Sequence, residues 1–329
     1  MSAALAGALA GALMITSGSA GAQEGAATEH EVFLGAAPTA LAGTLTLPAG
    51  GGPYPGVVLV HGSGPHDRDE SIGPNRPFRD LAAGLAARGI GVLRYEKRTR
   101  TYPMSYANRA FTVDDETVDD ALAAVELLRA TRQIDPRRIV IVGHSLGGML
   151  APRMAERDSA LAGIVLLAGA TNESLLEMVE RQMRFLRTLP GADTAALDRQ
   201  MELLAPLMAR IRALTPADSA STELLLGAPA AYWLDLNAYD PLASAARLSL
   251  PMLVLHGARD YQVSSAGFDA WREALAGRAN VSFRLYPGLN HLFIAGEGPG
   301  GPSEYAVPGH VSGAVIGDIA EWVATLTPR

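Results

Sequence analysis

The chain of 329 residues contains no cysteine. That absence excludes disulfides, thiolate metal sites, a cysteine nucleophile and a lipid-acylated cysteine. Positive charge is also sparse. Against 34 Asp and Glu there are 27 Lys and Arg, for a net charge of −7, and no basic run offsets this, which argues against a nucleic-acid partner. No glycine-rich loop with dinucleotide-binding spacing opens a helix, so no nucleotide cofactor is implied. His61, His66, Asp67 and Asp69 lie close together in sequence but lack a recognised ligand spacing, so no metal is expected. Beyond the N-terminal leader no stretch is long and apolar enough to span a bilayer, so the mature chain is expected to carry no membrane span.

What is present is apolar: 48% of the residues are hydrophobic, enough for a sizeable core. Ala4–Ile15 is an apolar run too short to cross a membrane comfortably. Ala20-Gly21-Ala22 fits the small-residue rule for signal cleavage. Residues 1–22 therefore read as a signal peptide, with Gln23 as the new N-terminus and a secreted or periplasmic product. No Lys or Arg precedes the apolar run. Residues 23–40 are small and polar and are expected to be irregular.

Beyond them the chain alternates two patterns. Leu41–Leu47 alternates apolar and polar like a half-exposed edge strand. Pro55–Val60, Ile90–Tyr95, Arg138–Val142, Gly163–Leu167, Pro251–His256 and Val281–Tyr286 read as further strands, most of them continuously apolar as strands buried on both faces are. Between several of them lie helical spacings, at Phe78–Arg88 and Val113–Thr131, with a terminal helix over Val311–Leu326. Strand alternating with helix implies an α/β fold with a mostly parallel sheet and helices on both faces. Residues 171–240 break the pattern. They contain no buried-strand run, and two helical faces (Leu175, Leu176, Val179, Met183, Leu186, then Leu197, Met201, Leu204, Met208, Ile211) point to a helical insertion kinked at Pro206.

The most informative stretch is Arg138–Gly148. Four β-branched residues are followed by Gly143-His144-Ser145-Leu146-Gly147 and then by helical composition. A serine on a tight turn between strand and helix needs glycines beside it, because there is no room for Cβ atoms. The free N–H of Leu146 and the helix dipole would favour a developing oxyanion there.

This stretch resembles the nucleophile elbow of the α/β-hydrolase family. The resemblance implies a core of residues 41–170 and 241–329 with a helical cap at 171–240. It also implies a second oxyanion donor from the loop after the Pro55–Val60 strand, His61-Gly62-Ser63-Gly64. By position this is the Ser63 N–H, with Gly62 the runner-up. The family order of serine, acid, histidine implies Asp260 and His291 as partners of Ser145. Rivals for the histidine are His61, His144, His256 and above all His310; for the acid they are Glu173, Asp235 and Asp240. The run His61–Glu70 resembles a branch of the family that includes esterases, dienelactone-hydrolase-like proteins and serine peptidases, with Arg68 expected to pair with neighbouring carboxylates.

The implied activity is a secreted serine hydrolase that cleaves small or medium carboxylic esters through an acyl-enzyme, with a small-molecule acyl substrate and no cofactor. The alternatives are a serine aminopeptidase, in which Glu173 or Glu177 would hold the substrate amine, an acyl-thioesterase, or a non-catalytic ligand-binding protein on the same fold.

Overall fold

Strand residues that are apolar at every position must bury both faces, and two central strands show how. Val58 and Val60, with Ile139 and Ile141, point into one hydrophobic core. Val57 and Leu59, with Val140 and Val142, point into a second core on the opposite face. The first core is closed by the helices Asp119–Ala130 and Leu146–Arg157. The second is closed by the helices Pro77–Ala86 and Gly313–Thr325. The period of two along each strand thus feeds two layers of helix.

The computed structural model describes residues 26–171 and 173–329. The apolar leader and its expected cleavage after Ala22 lie outside the described residues. Among those described, eight strands form one sheet: β1 (Thr28–Leu34), β2 (Leu41–Leu47), β3 (Tyr54–Val60), β4 (Gly91–Tyr95), β5 (Ile134–His144), β6 (Gly163–Leu167), β7 (Met252–Gly257) and β8 (Val281–Tyr286). Their order is β1-β2-β4-β3-β5-β6-β7-β8. β2 is antiparallel to both β1 and β4, and every later pairing is parallel. The parallel strands end on one edge of the sheet. The loops after β3, β5, β7 and β8 therefore open on the same side, where α/β sheets bind ligands.

Two expectations are corrected. Residues 23–40 are not irregular throughout, because Thr28–Leu34 forms β1, pairing with β2 from Thr28↔Leu47 to Leu34↔Leu41. β1 is mostly exposed, so it has no apolar run to reveal it and is specified by its neighbour's free edge. β2 is consequently not an edge strand, and nearly all of it is buried.

Between β6 and β7 the described chain is helical, with helices Leu175–Leu186, Thr194–Arg212 and Ala230–Ala238. Ser174 opens the first through a reciprocal capping box with Glu177, and Asp193 caps the second. The second helix runs through Pro206 as one helix. Met183, Met208 and Ile211 are buried in the packing of this layer, and Met201 is half-buried. Among the described residues no helix is long and apolar enough to cross a membrane.

Candidate active site

Ser145 stands between β5 and the helix Leu146–Arg157, at φ 51° and ψ −113°. A non-glycine residue in that region is strained and must be held there by its surroundings. Its N–H donates to the Leu167 carbonyl at 2.8 Å. The flanking glycines are sterically required. A Cβ on Gly143 would fall on the Gly147 carbonyl, and one on Gly147 would fall on the Val60 carbonyl. The turn is thus packed against itself and against the end of β3. Leu146 is the first residue of its helix, where an amide has no helical acceptor behind it.

Asp260 follows β7 and His291 follows β8, and the parallel pairing of those strands brings their loops together. His291 Nδ1 lies 2.6 Å from Asp260 Oδ2. The other Asp260 oxygen accepts the N–H groups of Gln262 and Val263 at 2.8 and 2.9 Å. Burial alone would raise the Asp260 pKa. The His291 ring, the nearby His256 and the Val263 N–H outweigh it and hold the carboxyl below the ordinary value. The His291 loop has a support that the sequence did not reveal: Asn290 Oδ1 accepts the N–H groups of Leu292 and Ile294. Its Nδ2 donates to Glu304.

The rivals lie elsewhere in function. His310 is largely exposed and contacts Asp80 at 3.0 Å. Burial lowers the His61 pKa to about 3, and its Nε2 bonds the Asp67 carbonyl. Burial likewise lowers His256, which stacks on Phe268. Glu173 is bound by Arg181, Asp235 by Arg153, and Asp240 caps the helix Pro241–Arg247. His66 bonds the Ser63 carbonyl, Asp67 accepts two loop amides, and Asp69 pairs with Arg94. Among the described residues no three His, Asp or Glu side chains converge as a metal-ligand set. Arg68 pairs with Glu96 at 2.8 Å and also donates to Thr44. It thereby ties the loop after β3 to the end of β4.

In that loop the Gly62 N–H is taken by Glu70 Oε1 at 2.6 Å, which removes the runner-up for the second oxyanion donor, while Ser63 and Gly64 line the cavity. Glu70 and His144 were not singled out from sequence as a pair. Glu70 Oε2 and His144 Nδ1 face each other at 2.8 Å, both side chains almost wholly buried. The His144 Nε2 is 3.0 Å from the His291 carbonyl, and the two histidine rings lie 4.6 Å apart. Burial opposes charge on both partners, but their mutual contact outweighs it. It lowers the Glu70 pKa to about 2 and raises that of His144. A buried carboxylate 74 residues from its partner gives no local sequence signal.

Ser63, Ser145 and Leu146 open onto a cavity of about 730 Å³. Its walls are mainly apolar, with Phe111, Leu176, Met178 and Trp233 among them. Of the methionines between β6 and β7, Met178 lines this space and Met183, Met201 and Met208 do not; Met104, largely exposed, joins it from the region after β4.

The sequence matches the model of the alpha/beta hydrolase family over residues 57–300. This chain belongs to that family. The chain is also 44% identical over 283 residues to Esterase EstD of Thermotoga maritima, an alignment that takes in 86% of this chain and 65% of the relative. It therefore spans about two-thirds of that relative's length. Among solved structures it superposes on an esterase of Pyrococcus furiosus with a TM-score of 0.57 at 16% identity, covering 91% of each chain. It superposes on the acylaminoacyl peptidase of Pyrococcus horikoshii with a TM-score of 0.58 at 15% identity, covering 93% of this chain and 43% of that one. At such identities the superpositions establish the shared fold. The same sheet therefore carries both esterases and peptidases, and the site must distinguish between them.

Proposed function

We propose that this hydrolase cleaves carboxylic esters of small or medium acyl groups through an acyl-enzyme on Ser145. The observation that carries the reading is the strained Ser145 at the floor of a mostly apolar cavity, with the buried Asp260–His291 pair on the neighbouring loops. A serine hydroxyl is a poor nucleophile at neutral pH and needs a base, which needs an acid to fix its tautomer. With Nδ1–H donated to Asp260, the His291 Nε2 is free to accept the Ser145 proton as Oγ attacks the ester carbonyl. The Ser63 and Leu146 N–H groups receive the oxyanion. The alcohol leaves with the proton from His291. Water then attacks the acyl-enzyme, again deprotonated by His291, and the carboxylic acid departs.

The aminopeptidase reading requires a free carboxylate for the substrate amine. Glu173 is held on two nitrogens by Arg181, and Glu177 is held in the turn of Ser174. Neither side chain lines the cavity at Ser145; both line a separate one. Paired kinetics test this. The kcat/KM on p-nitrophenyl esters should exceed that on the matching aminoacyl anilides by about a hundredfold or more, since Glu116, a carboxylate that does line this cavity, is already taken by Lys97 and the hydroxyls of Thr99 and Thr117, which leaves the amine without a free counter-charge (~2–3 kcal/mol for a charge-assisted bond). Equal or higher anilide turnover overturns the ester assignment, and stronger thioester turnover redirects it to a thioesterase. A fluorophosphonate that fails to label Ser145 returns the chain to a binding role.

We also propose that the chain is exported, on the apolar run and Ala20-Gly21-Ala22. N-terminal sequencing of protein recovered from the periplasm of a bacterial host should begin at Gln23. An intact leader on cytoplasmic protein refutes export.

A further inference from the structure

Several buried ionisable side chains around the candidate site have no part in the proton transfers above, among them Glu70, Lys97 and His144. Buried charges are expensive and persist where they are paired and hydrogen-bonded. What they bond is informative. Lys97 Nζ, itself 3.2 Å from Glu116, donates to the Gly62 carbonyl at 2.7 Å. That carbonyl and the Ser63 N–H belong to one planar trans peptide, in which C=O and N–H point in opposite directions. Holding the carbonyl therefore aims the Ser63 N–H, and a cation on the oxygen polarises the amide toward donation. On the other side of Gly62, Glu70 Oε1 fixes the preceding N–H at 2.6 Å. Glu70 sits at φ 50°, a backbone region that a non-glycine residue occupies only when its surroundings hold it there. Through Oε2 it meets His144, and His144 reaches the backbone carbonyl of His291.

We propose that Lys97, Glu70 and His144 are positioning residues, a buried charged brace that aims the Ser63 amide at the oxyanion and ties its loop to the backbone of His291. The inference rests on the acyl-enzyme reading. It departs from a simple packing role in one respect: the brace should matter more to the tetrahedral state than to substrate binding. Groups facing it are His61 and His66 from the loop after β3, Glu116 beside Lys97, and Asp260 and His291 from the loops after β7 and β8.

The experiment compares Glu70→Ala, Glu70→Gln and Lys97→Met with the wild type. The readouts are kcat and KM on a p-nitrophenyl ester and the inhibition constant of an alkyl boronic acid, which adds to a serine Oγ as a tetrahedral adduct. Loss of a whole oxyanion donor costs ~10²–10³ in kcat, so misaiming one should cost about tenfold or more. Glu70→Ala and Lys97→Met are expected to lower kcat by that factor with KM within about threefold, and to weaken the boronic acid in proportion. Glu70→Gln should recover most of both. Its amide oxygen can still accept the Gly62 N–H, and its NH₂ can donate to a neutral His144 whose Nε2–H stays on the His291 carbonyl. Unchanged kcat and boronic acid affinity in folded Glu70→Ala overturn the brace, as does a loss of kcat without loss of boronic acid affinity. If Glu70→Ala does not fold, Lys97→Met decides by the same two outcomes. Stoichiometric fluorophosphonate labelling of Ser145 in the wild type separates the two failures. Without it the acyl-enzyme reading falls; with it and unaltered variants, only the brace does.

Discussion

Ser145→Ala is expected to leave a folded protein whose ester hydrolysis has fallen by several orders of magnitude, toward the ~10⁶ lost when a triad serine is removed. The fold should survive because the change removes one hydroxyl and keeps the Cβ that packs against Gly62. The elbow itself is held by backbone groups, with the Ser145 N–H on the Leu167 carbonyl and the Met149 N–H on the Ser145 carbonyl. What remains of the rate would come from the Ser63 and Leu146 amides and from substrate binding, which act without a nucleophile on the enzyme. Thermal unfolding checks the first half, and initial rates on a p-nitrophenyl ester check the second. Activity within tenfold of wild type, in a preparation cleared of host esterases, would remove Ser145 from the mechanism.

The second large effect is expected at the acid. Asp260→Asn should reduce kcat by about 10⁴ with little change in stability. The asparagine oxygen can still accept the Gln262 and Val263 N–H groups that Asp260 Oδ1 now accepts. The new NH₂ would face His291 Nδ1, where the carboxylate oxygen sits at 2.6 Å. A donor there favours the tautomer with its proton on Nε2, and that nitrogen can no longer take the serine proton. His291→Ala should be as severe. His310→Ala should leave the rate within about twofold, since its ring is exposed and bonded to Asp80. Steady-state kinetics on the three variants decide it: an active His291→Ala beside a dead His310→Ala would move the base to the terminal helix and leave Asp260 without a role.

A good part of this molecule was legible from residue order alone. The α/β alternation follows from periodicity and the family from Gly143-His144-Ser145-Leu146-Gly147 in its strand–turn–helix context, because strand burial and tight turns restrict residue types locally; Asp260 and His291 were reached through the chain order that the family resemblance implies. The helical stretch between β6 and β7 was readable from periodicity as well. β1 was not, since an exposed strand such as Thr28–Leu34 carries little apolar signal and is recruited by pairing with β2. Nor were the contacts between distant loops. Whether Glu173 is free or bound, whether the Gly62 amide remains available, and how Lys97 and Glu70 hold the carbonyl and the N–H of Gly62 depend on groups eight to 35 residues apart. The Lys97 contact needs the sheet order, which sets β4 beside β3, and the two others need the exact path of a loop or of a helix start. A hydrogen bond is decided by tenths of an ångström, and no spacing along the chain specifies such a distance across the fold.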